Sequence, residues 1–271
     1  MTATNTASLA IQLRSLRLPS FVDHYESVVL KAERDGIGFT DCLRHLVEVE
    51  LCDREARKID RLRKKSQLPL EKTLTNLDQG RLPRKLRQQL PSLCSGGFVN
   101  RAENALVFGM PDRGKSTTVS AIGHELIGQG KSVLWRPASH LVQKLLIAKM
   151  DLNLEAELRR LDRFDVVILD DIGYVQQNRE EMEVLFTFLA ERYERRSVMI
   201  TSNLVFSQWA HIFKGAMTTA AAIDHLVHHS VILELTGENY RTGAAMVRKQ
   251  DETTDQGEQG PSSVWFSVRP P

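Results

Sequence analysis

The chain has 271 residues, 42% of them apolar and 26% charged, with a net charge of +2. That length and apolar share suffice for one ordinary domain plus a smaller one, each with a core of its own. Three cysteines, Cys42, Cys52 and Cys94, lack C-x-x-C spacing, which excludes a disulfide framework or a zinc site and makes a cytoplasmic location the expectation. No apolar stretch approaches the ~18 residues of a membrane helix, and no basic-then-apolar leader opens the chain, so neither membrane nor secretion is expected.

Taken in order, Leu9, Leu13 and Leu16 mark one face of a first helix, stopped by Pro19. Ser20 is the expected cap of a second helix, with Phe21, Val22, Tyr25, Val28 and Val29 on its apolar face and Asp35-Gly36 at its end. Thr40 is the expected cap of a third, longer helix that buries Leu43, Leu46, Val47 and Leu51. It continues into R-E-A-R-K-I-D-R-L-R-K-K, where Ile59 and Leu62 keep a thin apolar stripe amid Arg54, Arg57, Lys58, Arg61, Arg63, Lys64 and Lys65. From Arg54 to Arg87 twelve Lys and Arg stand against four Asp and Glu, an asymmetry that marks this half for a polyanion. These features predict an all-helical domain over 1–80 and a linker and lead-in over 81–100, punctuated by Pro83 and Ser95-Gly96-Gly97.

Next, the apolar run Ala105–Phe108 enters Gly109-Met110-Pro111-Asp112-Arg113-Gly114-Lys115-Ser116-Thr117, the spacing of a phosphate-binding P-loop. Glycines let the loop turn so that successive N–H groups converge, and the following helix adds its N-terminal amides to the anion site. Lys115 then reaches the β- and γ-phosphates of ATP, and the Ser116 hydroxyl joins the shell of Mg²⁺. Strands over Ser132–Arg136, Asp165–Asp171, Ser197–Thr201 and Val231–Leu235 alternate with helices, which implies right-handed βαβ crossovers and a three-layer α/β domain over 101–249. A polar tail, 250–271, is expected to be disordered.

The D-V-V-I-L-D-D run ends in Asp170 and Asp171, at the strand edge where open α/β sheets hold ligands. One acid holds Mg²⁺ with Ser116, Asp170 being assigned that part, and the other orients or deprotonates the attacking water. Asn203, after the strand S-V-M-I-T, is placed to touch the γ-phosphate or that water. With Lys115, these three form the expected catalytic set. His228 and His229 point apart on a helix and make no metal site.

The motifs G-M-P-D-R-G-K-S, V-V-I-L-D-D-I-G, M-I-T-S-N-L with Trp209, I-D-H-L-V-H-H-S and G-E-N-Y-R, in this order, resemble those of the IstB-type transposition helper ATPases, an AAA+ group near the DnaC helicase loaders. The resemblance spans about Leu9 to Lys249. It implies a P-loop AAA+ three-layer sandwich with a parallel five-stranded sheet ordered 5-1-4-3-2, preceded by a small helical domain. It also implies ATP-dependent assembly into homo-oligomers on duplex DNA, and partnership with the transposase of the same element. By position Asn203 takes the family's sensor-one place, and Arg241 that of the arginine in its Y-R pair. Two residues depart from the pattern: Asp112 stands where the loop usually has a second glycine, and His225 where a trans-acting arginine is usual. The alternatives are a helicase loader and, given Asp112 and His225, a catalytically impaired nucleotide- and DNA-binding scaffold.

Overall fold

The computed structural model describes residues 2–174, 179–204, 226 and 229–235. Helices α1 (Thr2–Ser15), α2 (Pro19–Asp35) and α3 (Phe39–Ser66) form the front of the molecule. Pro19, whose missing N–H costs nothing at a helix start, occupies the first turn of α2 in place of the expected Ser20 cap. The Ser20 N–H instead donates to Glu50 Oε2 at 2.9 Å. Gly38, not Thr40, precedes the first turn of α3. The expected buried face of α3 is reduced to Leu46, since Leu43, Val47 and Leu51 are 57%, 41% and 60% exposed. Polar Glu50 supplies the closure instead. It is buried, and its Oε1 also accepts from Arg54 Nε at 2.7 Å and Arg57 Nη2 at 3.4 Å.

Beyond α3 the chain turns back at Gln67, whose backbone is left-handed (φ 58°), and passes through α4 (Arg84–Cys94) and the short α5 (Gly97–Asn100). Five strands follow: β1 (Asn104–Gly109), β2 (Val133–Pro137), β3 (Val166–Asp170), β4 (Ser197–Ser202) and β5 (Ser230–Leu235). They are separated by α6 (Lys115–Gly128), α7 (Ala138–Met150), α8 (Leu154–Leu161) and α9 (Arg179–Arg192). All pairings are parallel, in the order β2-β3-β4-β1-β5, which is the order the motif resemblance implies. The sequence also predicts helices over 206–213 and 217–229, of which only Leu226 and His229 are among the described residues. Trp209, His225, Arg241 and the tail from Gln250 lie outside them.

Strand periodicity sorts the core into two layers. Leu106, Phe108, Leu134, Val167, Leu169, Val198 and Ile200 face α7 and α9, while Ala105, Val107, Val133, Val166, Ile168 and Met199 face α6. The second layer also takes in Leu68, Leu77, Leu82, Leu86, Leu90, Leu93 and Phe98. Residues 68–98, read from sequence as domain end and linker, thus contribute to the apolar layer on this face of the sheet, with Ile59 and Leu62 of α3 packed beside them. Each such leucine removed from water contributes roughly 1.5–3 kcal/mol. At the opposite end of the sheet Arg192, 2% exposed, donates to the carbonyls of Leu161, Phe164, Asp165 and Ser197 and ties the entries of β3 and β4 together.

Candidate nucleotide site

The loop after β1 is shaped by two kinds of backbone demand. A Cβ on Gly109 would lie 2.8 Å from the Leu235 carbonyl, so the close approach of β1 to the end of β5 requires glycine there. Asp112 and Gly114 both take left-handed conformations, φ 63° and 83°. Aspartate is among the few side chains that visit this region readily, so the loop closes although the usual glycine is missing. Helix α6 then starts at Lys115, and Thr118 donates both its N–H, at 2.8 Å, and its hydroxyl, at 2.9 Å, to the Gly114 carbonyl. The N–H groups of the first helical turn have no partner within the helix and face the loop, the arrangement that receives a phosphate.

Lys115 is buried, and its ammonium donates to the carbonyls of Gly109 and Met110 at 2.8 and 2.9 Å. Burial pushes its pKa down, against the pull of Asp171, Asp170 and Asp112. Across the loop, the Ser116 hydroxyl donates to Asp170 Oδ1 at 2.8 Å, so the P-loop and the end of β3 meet directly. Asp171 follows with a left-handed backbone, φ 63°, and burial raises its carboxyl pKa, reinforced by the charge of Asp170 and opposed by Lys115. Among the described residues, its Oδ1 is buried without a hydrogen-bond partner. Asn203 Oδ1 is likewise buried and unpartnered among the described residues, lying so near Gly173 that a Cβ there would clash with it. Arg113 keeps Nε and Nη1 buried in the loop and unpaired among the described residues. Unsatisfied acceptors and donors gathered beside an anion-binding turn are a site prepared for a polar ligand.

Thr201, which the sequence reading passes over, ties this cluster together. Its hydroxyl donates to Asp170 Oδ1 at 2.6 Å and accepts the Asp171 N–H at 2.7 Å. The register explains the contact: Leu169 pairs with Ile200, so the next residues, Asp170 and Thr201, lie level at the strand ends. A hydroxyl near the end of a continuously buried strand was the available signal.

The basic residues of α3 divide. Arg54 and Arg57 are engaged with Glu50, and Arg54 also donates to the Arg17 carbonyl at 2.7 Å. Lys58 and Lys64 pair with Glu55 and Asp60 at 3.8 and 2.7 Å, exposed contacts worth about 0–1 kcal/mol that a phosphate can displace. Arg61, Arg63, Lys64 and Lys65 are exposed along the last turns of the helix.

Residues 11–247 match the family model described as IstB-like ATP binding protein. The chain belongs to the IstB-like family. A putative insertion sequence ATP-binding protein of Sinorhizobium fredii is 39% identical over 245 residues, covering 90% of this chain and 82% of its own length. The putative ATP-binding protein of insertion sequence IS21 from Pseudomonas aeruginosa is 34% identical, covering 86% of this chain and 88% of its own. In fold, the IstB-like chain is similar to the crystal structure of DnaI, with a TM-score of 0.53 and 20% identity, over 63% of this chain and 96% of that one. The IstB-like chain therefore has the α/β fold of DnaI and belongs to a family described as ATP binding. Among the described residues, no helix is long and apolar enough to cross a membrane.

Proposed function

We propose that this IstB-like protein binds and hydrolyses ATP with Mg²⁺, assembles as a homo-oligomer on duplex DNA, and recruits or stimulates the transposase of its element. The observation that carries the nucleotide half is the 2.8 Å bond from Ser116 to Asp170, which brings the loop hydroxyl and a strand-end acid to one point. The oxygen donors here, Ser116 Oγ and Asp170 Oδ1, suit a small hard cation, and the unpaired Asp171 Oδ1 leaves a second acid for other work. Mg²⁺, when bound, neutralises charge on the phosphate oxygens. The chain's own groups do the rest. The amides at the start of α6 and the Lys115 ammonium bind the phosphates, the latter by leaving the Gly109 and Met110 carbonyls. Asp171, with its raised pKa and open oxygen, accepts a proton from or orients the attacking water, and Asn203 positions that water or the γ-phosphate. His225 and Arg241 remain assigned to trans-acting and sensor roles by motif position alone.

The basic end of α3 supports the DNA half. Contacts from Arg61, Arg63 and Lys64 go to phosphate, so affinity for duplex falls steeply with salt and depends little on sequence. Replacing these three with alanine weakens every duplex alike in an anisotropy titration; unchanged binding removes α3 from the interface. Co-purification with a transposase supports the helper role, whereas co-purification with a replicative helicase supports a loader. One observation favours slowed hydrolysis over full activity: Asp112 puts a carboxylate into the loop that receives the phosphates. ATP turnover measured with and without DNA, in wild type and Lys115→Ala, tests the activity directly.

A further inference from the structure

Among the described residues, strand β2 is the outermost strand on one side of the sheet and pairs only with β3, so its other backbone edge carries no strand. Against that edge lies a cleft of about 580 Å³, bounded by the end of α3, by α7 and by the segment from α8 into β3. It is distinct from the nucleotide site, since its lining includes no residue of the P-loop and neither of the acids at the end of β3, the strand next to β2. Its floor is apolar: Leu62, Leu134, Leu141 and Phe164. Its rim is cationic, carrying Lys65, Arg136, Lys144, Arg160 and Arg163, with Glu157 the single acid of the lining. Glu157 already accepts Lys144 at 2.5 Å and lies 3.7 Å from Arg160. Lys65, Arg136 and Arg163 are thus left without an acid in the lining, although they come from α3, β2 and the turn after α8.

We propose that this cleft holds a single strand of nucleic acid, its phosphates on Lys65, Arg136 and Arg163 and a base against Phe164. A merely solvated charged face needs no concavity and no apolar floor. Three cations delivered by distant segments around an aromatic ring match a ligand that alternates anionic linkages with flat apolar units. The volume falls within the ~300–1,000 Å³ range of sites that enclose small ligands, so it suits one or two nucleotide units of an opened strand and not a duplex. Lys65 continues the basic run of α3, which places the cleft at the end of the proposed duplex face. The proposal rests on that DNA-binding reading for its biological setting, but not for its geometry.

The test uses the full chain and two labelled probes, an oligothymidylate and a duplex, in anisotropy titrations over a salt series. Arg136→Ala/Arg163→Ala is expected to weaken the oligothymidylate by about 10-fold or more and to flatten its log K against log salt slope by about 1.4, with less than about a twofold change for duplex. Phe164→Leu, which keeps the apolar packing, is expected to weaken the oligothymidylate about fivefold at unchanged salt slope. Arg61→Ala/Arg63→Ala/Lys64→Ala is expected to act mainly on the duplex. Unchanged oligothymidylate binding in both cleft variants, with wild-type melting temperatures, overturns the proposal, as does equal competition by polyglutamate. Loss of oligothymidylate binding in the cleft variants beside unaltered duplex binding in the α3 variant upholds the cleft and removes the duplex face.

Discussion

Replacing Thr201 with valine tests the architecture of the nucleotide site at its least exposed point. The side chain is fully buried, and its hydroxyl makes two short bonds, 2.6 Å to Asp170 Oδ1 and 2.7 Å from the Asp171 N–H. Valine fills nearly the same volume but offers neither donor nor acceptor. A hydrogen bond to a charged group contributes ~1.5–3 kcal/mol, and a buried N–H left unpaired costs ~1–3 kcal/mol. Part of this is recovered by solvent entering beside the open P-loop, so the expected loss of unfolding free energy is about 3 kcal/mol, read by urea denaturation. A second readout separates positioning from general stability. Asp171 holds a left-handed backbone, φ 63°, and without the Thr201 acceptor that turn relaxes and both acids shift. Fluorescent ATP-analogue titrations are then expected to lose most of the gain in affinity that Mg²⁺ confers, with smaller change in its absence. Thr201→Ser restores the hydroxyl and is expected to recover both properties. A Thr201→Val protein within about 0.5 kcal/mol of wild type, with its Mg²⁺ dependence intact, refutes the reasoning.

Asp112 is exposed in the loop, so its repulsion of a phosphate ~5 Å away lies between ~1 and ~3 kcal/mol, according to how far solvent raises the effective dielectric above ~20. Asp112→Asn removes the charge and Asp112→Gly also removes the left-handed strain, so ATP affinity is expected to rise about 5- to 100-fold, more in the glycine variant; three equal affinities would absolve the residue. Burial raises and the Arg54 and Ser20 hydrogen bonds more strongly lower the Glu50 pKa, which ends below its ordinary 4.5. The clamp between α2 and α3 is therefore fully present above pH 4.5 and is lost as pH falls through the depressed folded value. Hydrogen exchange of α2 should report the loss, and Glu50→Gln should abolish its pH dependence. Asp171 has the opposite sign: a raised folded pKa means that its ionised form costs stability, a cost that appears as pH rises above 3.8 toward the folded value. Asp171→Asn is thus expected to stabilise the nucleotide-free protein at pH 7 in thermal melts while slowing ATP turnover; a destabilised variant contradicts the assignment.

The legible parts of this chain were those written in local spacing. Each of the five strands lies within a residue of its expected bounds, because apolar runs such as V-V-I-L between polar breaks admit no other buried element. The P-loop was equally plain, and the structure shows Asp112 closing it with a left-handed backbone. The front helices were legible as helices but not in their packing. Leu43, Val47 and Leu51 repeat at helical spacing, yet spacing does not say what lies opposite, and α2 meets α3 through the buried carboxylate of Glu50. The packing of residues 68–98 was hidden in the same way, since their prolines and glycines mark turns and do not say that their leucines join the core of the sheet.

Local pattern by itself determined that this chain builds a parallel P-loop sheet, presents acids at a strand end and carries a basic helix, because each is a property of neighbours in sequence. Tertiary structure alone decided that Thr201 joins Asp170 to Asp171, that Arg54 and Arg57 turn inward to Glu50, and that Lys65, Arg136 and Arg163 meet around one cleft. The division has a physical cause. Periodicity encodes which face of an element is apolar, whereas a hydrogen bond between strand ends or a cluster of charges depends on distances set by how the elements are stacked.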